Sequence, residues 1–271
     1  MSRSTIVVKL GGTDGVDFSA ICKDAAELLK QNNQLVLVHG GSAESNSLGV
    51  ALGAPPKFIT SPSGYTSRYT DRKTLEIFAM AVNGKINTLL VEQLQMMGIN
   101  ALGLSGVDGK LMQATRKDSI QSIENGKRKI IRDDYTGKIE CVNEKLLQTL
   151  LAGGYLPVIA PMAVSEKGEA LNVDGDRAAA MVSSALKAEA LILLTAVPGL
   201  MKNFPDESTV IQHLTQSQLS DALEAAQGRM KKKVLGAEEA LKGGVKRVVI
   251  ADGRIQNPIS NALEGKGTVI Q

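Results

Sequence analysis

Short runs of aliphatic, mostly β-branched residues alternate with amphipathic helical patterns along most of this chain. The run at residues 6–10 precedes a helical pattern at 18–31, and the run at 35–38 precedes another at 44–52. Strands that alternate with helices of this length form βαβ units, whose strands lie parallel in one sheet. The alternation therefore predicts an α/β fold with a largely parallel central sheet.

The clearest helical pattern covers residues 74–97, where apolar side chains recur at helical spacing. Its predicted buried face consists of Leu75, Phe78, Val82, Ile86, Leu89, Leu90, Leu94 and Met97. Two more buried strands are predicted at 156–161 and 191–194, and a helix is predicted directly after Asp176.

Two shorter patterns mark the starts of helices in the last third of the chain. Thr215 and Gln218 have the spacing of a capping box, which predicts a helix at 217–226. Asn257 before Pro258 is typical of an N-cap and first turn, and it predicts the start of a last helix.

One segment interrupts the alternation with a hairpin pattern. Runs at residues 120–124 and 127–132 flank Asn125-Gly126, a pair that favours a tight turn because both positions accept positive φ. Further along, a short polar stretch is the best candidate for a division of the chain into 1–165 and 166–271.

Composition excludes several classes of function. With aromatic residues at 3%, no Trp and a net charge of +3, neither a base-stacking nor a strongly basic nucleic-acid surface is expected. No run approaches the roughly 18 apolar residues of a membrane span, and the N-terminus lacks a signal-peptide pattern, so we expect a cytoplasmic protein. The two cysteines, Cys22 and Cys141, are expected to be buried free thiols.

Two glycine pairs, Gly11-Gly12 and Gly40-Gly41, each follow a predicted strand and precede a helix. Such turns expose backbone N–H groups and let a phosphate approach the helix N-terminus closely. Neither pair belongs to a Walker A loop or a G-x-G-x-x-G motif. Tight turns without any ligand therefore remain the alternative interpretation.

Lysines occur at two places where an anion would explain them. Lys9 lies in an otherwise apolar strand, where burial favours either a salt bridge or a bound phosphate. Residues 231–233 are three lysines within a predicted helix, of which one could point into a cleft while the others face solvent.

The run from Asn172 to Asp176 places an amide and two carboxylates two residues apart, just before a helix. A calcium loop is excluded, because its sixth and twelfth positions hold Arg177 and Ser183 instead of glycine and glutamate. A structural cap for the helix is the alternative, and Asp176 is the candidate for it.

The two histidines, His39 and His213, form no metal site on their own. We interpret His39 as a residue that hydrogen-bonds within its turn.

Eight motifs, in order and over essentially the whole chain, resemble those of the amino acid kinase family. These motifs are residues 6–12 (IVVKLGG), 38–42 (VHGGS), 102–109 (LGLSGVDG), 154–161 (GYLPVIAP), 172–180 (NVDGDRAAA), 193–200 (LLTAVPGL), 228–234 (GRMKKKV) and 267–268 (GT). The resemblance implies a three-layer αβα sandwich, commonly homodimeric, with the amino acid bound by the half 1–165 and ATP by the half 166–271.

The resemblance also implies a role for each candidate residue. Lys9 and Lys233 would neutralise the transferred phosphoryl group, and Asp176 would orient both lysines. The residues implied for the acceptor are Gly41, Ser42, Arg68 and Asn172. The residues implied for the nucleotide are Gly12, Val197, Pro198, Gly199, Leu200, Met201 and Gly228. The acceptor carboxylate is ionised at pH 7, so no catalytic base is required, and magnesium would be held mainly by ATP oxygens.

Within the family, the chain looks like the branch that phosphorylates the side-chain carboxylate of N-blocked acidic amino acids. It departs from N-acetylglutamate kinases at Ser42, at Asp174-Gly175 and at Ala196, while residues 67–78 and 134–138 resemble kinases whose substrate is attached to a carrier protein. The favoured acceptor is therefore carrier-bound α-aminoadipate, or glutamate, in lysine and possibly arginine biosynthesis. The alternatives are free N-acetylglutamate and, more distantly, a non-catalytic binding module.

The hairpin segment supports the carrier hypothesis on physical grounds. Residues 116–132 contain six basic side chains against two acidic ones, a local net charge of +4. Such a patch would attract and orient an acidic protein. A solvated hairpin edge protected by its charges is the alternative interpretation.

Overall fold

The computed structural model describes residues 4–12, 15–62, 66–124, 127–225 and 228–271. The strands in these ranges are β1 Thr5–Leu10, β2 Gln34–His39, β3 Phe58–Thr60, β4 Thr66–Arg68, β5 Ala101–Ser105, β6 Met112–Arg116, β7 Ile120–Glu124, β8 Lys127–Ile131, β9 Gly137–Val142, β10 Leu156–Ala160, β11 Met162–Val164, β12 Ala170–Asn172, β13 Ala190–Thr195, β14 His213–Leu214, β15 Arg247–Asp252 and β16 Thr268–Ile270. The helices are α1 Phe18–Lys30, α2 Ser42–Ala51, α3 Arg72–Ala79, α4 Thr88–Met96, α5 Glu144–Ala152, α6 Gly175–Ala185, α7 Leu219–Ala225, α8 Gly228–Lys242 and α9 Pro258–Leu263. A π-helical segment, Met80–Asn87, joins α3 to α4.

The main sheet has eight strands in the order β14-β16-β15-β13-β1-β2-β10-β5. All neighbouring pairs are parallel except β15 with β16. The first strand of the chain thus lies in the middle, with strands from before residue 165 on one side and strands from after it on the other. The sheet is continuous across this line, and the division into two halves stays a prediction.

Helices cover both faces of this sheet. Successive side chains of each strand point to opposite faces, so each face carries apolar side chains that a helix layer can bury. In β1, Val7 belongs to one core cluster, whereas Ile6, Val8 and Leu10 belong to the other. The first cluster includes apolar residues of α5, α6 and α8, and the second includes residues of α1, α4 and α9. This arrangement confirms the expected three-layer αβα sandwich.

Two smaller sheets flank the main one, in the orders β12-β11-β6-β9 and β4-β3-β7-β8. The predicted hairpin is confirmed, because β7 and β8 pair antiparallel from Ile120 opposite Ile131 to Glu124 opposite Lys127. Its predicted turn residues, Asn125 and Gly126, lie outside the described residues. None of the helices that the structure describes is long and apolar enough to cross a membrane.

The long predicted helix at 74–97 is present, but its buried face differs in one position. Leu90 and Leu94 are buried, whereas Leu89 is 48% exposed. The cause is the π-helical segment before α4, whose wider turn changes the direction of the side chains that follow. The prediction for Leu89 assumed a regular α-helix and is wrong.

Two other predictions at single residues are corrected. Cys22 is buried, but Cys141 is exposed on the edge strand β9, where a register shift opposite Gln113 and Ala114 breaks the alternation of faces. Asn257 precedes α9 as predicted, but its side chain makes no cap bond. Instead the carboxylate of Asp24, on α1, accepts hydrogen bonds from the backbone N–H groups of Ile259 (2.6 Å) and Ser260 (2.9 Å).

Candidate active site

The two glycine turns that follow β1 and β2 pack directly against each other. A Cβ atom at Gly12 would lie 2.7 Å from the carbonyl carbon of Gly40 and would also collide with the backbone nitrogen of Gly41. No side chain fits between the turns, so the glycines are required by the close approach of two backbones. The turns therefore form one continuous backbone surface at the carboxyl ends of two central strands.

Beside this surface, one carboxylate holds two buried lysines. The Nζ of Lys9 lies 2.8 Å from Oδ1 of Asp176. The Nζ of Lys233 lies 3.1 Å from Oδ1 and 3.2 Å from Oδ2 of the same carboxylate. All three residues are buried, and the cluster contains two positive charges against one negative charge.

Three elements that are distant in sequence bring this cluster together. Lys9 projects from β1 toward α6, where a Cβ atom added at Gly175 would lie 3.6 Å from its Cε atom. Asp176 is the second residue of α6, and Gly236 on α8 lets that helix approach the Asp176 backbone closely. Within the lysine run on α8, only Lys233 is buried; Lys231 is exposed, as expected for a helix that presents one face to a cleft.

Electrostatics keep the carboxylate ionised and weaken the hold of one lysine on its proton. Burial acts to raise the pKa of Asp176, but the charges of Lys9 and Lys233 outweigh it and lower that pKa far below its usual range. Burial, reinforced by the charge of Lys9, lowers the pKa of Lys233 to about 8. A polyanion would stabilise the charged form of this lysine.

Asp174 caps α6, a role that the sequence suggested for Asp176 instead. Its Oδ1 accepts hydrogen bonds from the backbone N–H groups of Asp176 (3.0 Å) and Arg177 (3.2 Å). Its Oδ2 lies 3.1 Å from Nζ of Lys232 on α8. Because Asp174 caps the helix, the carboxylate of Asp176 is left to engage the two lysines.

The residues expected to bind the acceptor surround the start of α2. Gly41 precedes this helix and Ser42 is its first residue, so their N–H groups have no partner within the helix. Arg68 donates from Nη2 to the carbonyl oxygen of Ser42 at 3.2 Å, and its guanidinium lies over the ring of Phe58. The structure thus brings Gly41, Ser42 and Arg68 together.

Asn172 joins this group through a buried network that the sequence did not indicate. Its Nδ2 donates to Oγ1 of Thr70 at 3.2 Å, two residues beyond Arg68. The buried carboxylate of Asp134 accepts from the backbone N–H groups of Thr70 (3.0 Å) and Thr136 (2.9 Å). Asp134 and Thr70 thereby fix the strand that carries Arg68 relative to Asn172.

The residues expected to line the nucleotide lie on the other side of β1. Val197, Pro198 and Gly199 form a bend after β13, and the buried hydroxyl of Thr268 accepts a hydrogen bond from the backbone N–H of Leu200 at 2.8 Å. Met201 continues into an isolated bridge with Val210, and Gly228 begins α8. Thr268 belongs to the last of the sequence motifs, but the motif did not predict its hydrogen bond with Leu200, which lies 68 residues earlier.

A cavity of about 830 Å³ opens beside the acceptor residues. Residues of β3, β4, β7, β9 and the start of α6 line it, among them Ser67, Lys117, Lys138, Asp174 and Arg177. It neighbours Arg68 through Ser67 and Asn172 through Val173.

The described residues contain no group of three or more His, Cys, Asp or Glu side chains arranged to hold a metal. At the cluster itself, both oxygens of Asp176 are engaged by lysine ammonium groups. Ammonium groups repel a metal cation, so a magnesium ion at this site would have to be held mainly by nucleotide oxygens.

Comparison with known proteins identifies the family. The model of the amino acid kinase family matches residues 4–252. The chain belongs to the amino acid kinase family. Among solved structures, that of smu.665 from Streptococcus mutans has a TM-score of 0.77 with 23% identity, and the match covers 98% of each chain. This likeness agrees with the amino acid kinase fold described above.

Two curated relatives are much closer in sequence. The [LysW]-aminoadipate kinase of Deinococcus radiodurans is 57% identical over 265 residues, which cover 98% of this chain and 91% of that protein. The [LysW]-aminoadipate kinase of Thermus thermophilus is 53% identical over 268 residues, which cover 98% of this chain and all of that protein. This amino acid kinase is therefore a phosphotransferase, and ATP use follows from its family.

Proposed function

We propose that this kinase transfers the γ-phosphoryl group of ATP to the side-chain carboxylate of α-aminoadipate attached to an acidic amino-group carrier protein. The product would be an acyl phosphate, an intermediate of lysine biosynthesis, formed in the cytoplasm. The observation that carries the reaction type is the buried cluster of Lys9, Asp176 and Lys233 beside two glycine turns. The names of the Deinococcus radiodurans and Thermus thermophilus relatives support the acceptor.

The cluster suits phosphoryl transfer because both reactants are anions. An oxygen of the acceptor carboxylate attacks the γ-phosphorus, the bond to the ADP oxygen breaks, and ADP leaves with the electron pair. Lys9 and Lys233 stabilise the charge on the transferred group, which is the main contribution that a protein makes to such a reaction. Asp176 holds both ammonium groups at 2.8–3.2 Å and so fixes them before substrates bind.

The remaining predicted residues would position the two substrates. Gly12, Gly41 and Ser42 present backbone N–H groups to phosphate and acceptor oxygens, and Arg68 and Asn172 bind the amino acid. The bend from Val197 to Met201 and the start of α8 at Gly228 line the nucleotide. The magnesium that accompanies ATP would neutralise phosphate charge.

The size of the cavity favours an acceptor that extends beyond one amino acid. Its volume of about 830 Å³ exceeds what a free acetylated amino acid fills, and its lining reaches from Ser67 and Val173, which adjoin Arg68 and Asn172 in sequence, to Ile120 and Gln121 of β7. A substrate attached to a protein has a linking segment that would occupy this space. The cavity therefore supports a carrier-bound acceptor over free N-acetylglutamate.

The positive charge of the hairpin also supports an acidic carrier, although Arg116 does not belong to the exposed patch. Arg116 is stacked on the ring of Tyr135 at 3.8 Å, pairs with Glu169 at 2.9 Å and is mostly buried. The side chains of Lys117, Lys127, Arg128, Lys129 and Arg132 are exposed. These five define the basic hairpin surface that we assign to the carrier.

The decisive experiment is a hydroxamate assay of acyl-phosphate formation with three acceptors: carrier-bound aminoadipate, carrier-bound glutamate and N-acetylglutamate. We expect the highest kcat/KM with carrier-bound aminoadipate. The two carrier-bound acceptors differ by one methylene, for which a pocket discriminates by only about 1–3 kcal/mol, so measurable activity with carrier-bound glutamate is also expected. Preference for N-acetylglutamate would refute the carrier proposal.

The contribution of the basic hairpin surface can be tested separately. Reversing two charges in Lys127→Glu/Arg128→Glu should raise KM for the carrier-bound acceptor and leave KM for ATP unchanged. The double variant Lys23→Glu/Lys145→Glu makes the same charge change at exposed positions on α1 and α5 and is the matched control. Equal effects of both double variants would show that net charge, not this surface, attracts the carrier.

We also propose a homodimer, as the family resemblance implied. Large apolar side chains are exposed on the helix from α3 to α4 and at the end of α2, which contact each other. These side chains are Val50, Leu52, Met80, Leu89 and Met96. If this face is the interface, Met80→Glu/Leu89→Glu should convert a dimer to a monomer in light scattering, and a dimer that persists would place the interface elsewhere.

A further inference from the structure

We propose that His39 and Asn87 form a positioning pair that fixes the Gly40–Gly41 turn at the phosphoryl-transfer site. The pair acts through the π-helical segment Met80–Asn87, which packs beneath this turn. The inference rests on the proposed function, because it concerns the same turn. It assigns a task to two buried polar residues, His39 and Asn87, that the transfer mechanism does not use directly.

A chain of hydrogen bonds connects the π-helical segment to the turn. Nδ2 of Asn87 lies 2.9 Å from the carbonyl oxygen of Val158 and 3.1 Å from Nε2 of His39. The Val158 carbonyl can only accept, so it fixes the orientation of the amide, and Nε2 of His39 must accept the second amide hydrogen. The proton of His39 is then on Nδ1, which donates to the carbonyl oxygen of Gly40 at 2.9 Å.

The surroundings of His39 keep this single tautomer in place. Burial lowers the pKa of His39 to about 4, and the nearby charge of Lys9 acts in the same direction. The ring is therefore neutral at pH 7, and its one N–H points at the turn. On the other side, the Oδ1 of Asn87 packs against Gly103 of β5 so closely that a Cβ there would collide with it.

Apolar packing holds the same turn from the same segment. A Cβ at Gly41 would lie 2.5 Å from Cγ1 of Val82 and 2.9 Å from Cδ1 of Ile86. In a regular α-helix, residues five apart such as Val82 and Asn87 point about 140° away from each other. The wider π-helical turn brings the two side chains closer in direction, so that Val82 packs against Gly41 while Asn87 reaches His39.

The consequence is a turn whose backbone N–H groups are held in place before substrate binds. A displacement of about 1 Å at such a position costs roughly a hundredfold in rate. We therefore expect that loss of either member of the pair lowers kcat, with little change in KM for ATP. His39 and Asn87 are positioning residues, since neither contacts the reacting groups.

The test compares Asn87→Ala, His39→Ala and the double variant, with Asn100→Ala as the matched control at an exposed position. Each single variant should lower kcat at least tenfold, measured with the acceptor that gives the highest wild-type activity. Because both act on one turn, the double variant should lose no more kcat than the worse single variant. His39→Asn, which retains a donor near the Nδ1 position, should keep more activity than His39→Ala.

Two outcomes would overturn the proposal: multiplicative losses in the double variant, or wild-type kcat in a folded Asn87→Ala protein. A second measurement does not depend on the identity of the acceptor. In ¹⁵N NMR, the His39 ring should show the Nδ1–H tautomer, and Asn87→Ala should shift the Gly41 amide while leaving distant amides unchanged. An unshifted Gly41 amide would refute the positioning pair, whereas inactivity of the wild-type protein with all three acceptors would refute the proposed function alone.

Discussion

At the scale of single residues, the cluster around Asp176 confirms one of the two interpretations that the sequence left open for Lys9, while the other, a bound phosphate, stays a prediction. The lysine does form a buried salt bridge, at 2.8 Å. The same carboxylate also serves Lys233, so two positive charges face one negative charge. One unit of positive charge is left uncompensated in the cluster, and that excess is suited to an anionic phosphoryl group.

The lowered pKa of Lys233 predicts an alkaline limit to activity. Above pH 8, free enzyme loses the proton of Lys233, and with it the charge that the proposed mechanism requires. We expect kcat/KM for ATP, which reports the free enzyme, to fall tenfold per pH unit above about pH 8. The alkaline decline of kcat should begin at a higher pH, because bound ATP favours the charged form of Lys233. Lys233→Arg should have lower activity, but the alkaline decline of kcat/KM should be absent below pH 10. An unchanged alkaline decline would assign it to another group.

Removing the charge of Lys233 should affect catalysis far more than removing that of its neighbour. Lys233→Met should lower kcat by about 10²–10³-fold, the cost of losing one preorganised group that stabilises transition-state charge. Lys231→Met, two residues away on α8 and exposed, is the control and should retain wild-type kcat. Steady-state ATP turnover measures both, and equal rates would remove Lys233 from the mechanism.

At the scale of elements, local patterns predicted most of the described helices but fewer than half of the described strands, and contacts between distant residues were not predicted. The capping box of Thr215 and Gln218 is confirmed, though it opens a 3₁₀ turn before α7. Asp24 caps α9 from a position 235 residues before Ile259. The hydrogen bond between Leu200 and Thr268 spans 68 residues. A sequence contains each partner but not their proximity, so these contacts could not be predicted.

Thr268 offers a prediction for the nucleotide-binding bend. Thr268→Val keeps the shape of the side chain but removes the acceptor of the Leu200 N–H, which then loses its bond at a buried position. We expect a several-fold rise in KM for ATP and a loss of about 1–3 kcal/mol in the free energy of unfolding. Initial rates at varied ATP and chemical denaturation measure the two effects. A rise in KM for the acceptor instead would contradict the assignment of this bend to the nucleotide.

At the scale of the whole molecule, the sheet order was beyond sequence analysis, although the candidate site was largely predictable. The motifs named Lys9, Asp176 and Lys233 without showing that β1 lies between β13 and β2. That strand order lets Lys9 and Lys233, which are far apart in sequence, contact the same carboxylate of Asp176. Asp134, Thr70 and Asn87 were not identified as site residues, because their roles depend on packing between separate sheets and helices.

The contact between the two glycine turns predicts a large effect of one methyl group. In Gly12→Ala, the new Cβ meets the backbone of Gly40 and Gly41, which cannot move aside as a flexible side chain would. We expect destabilisation of about 1–3 kcal/mol and loss of activity. Gly84→Ala, where the new Cβ meets open space, should instead stabilise by roughly 0.5–1 kcal/mol. Thermal unfolding compares them, and equal shifts would contradict the tight contact.

The central position of β1 has a consequence for how the protein is made. One neighbour of β1, the strand β2, is synthesised soon after it, but its other neighbour, β13, begins only at Ala190. Until then one edge of β1 has no partner strand, and Lys9 lacks Asp176 as its counter-ion. The cluster of Lys9, Asp176 and Lys233 can therefore assemble only after residue 233 has been synthesised, and a product truncated before Asp176 would contain Lys9 without its counter-ion.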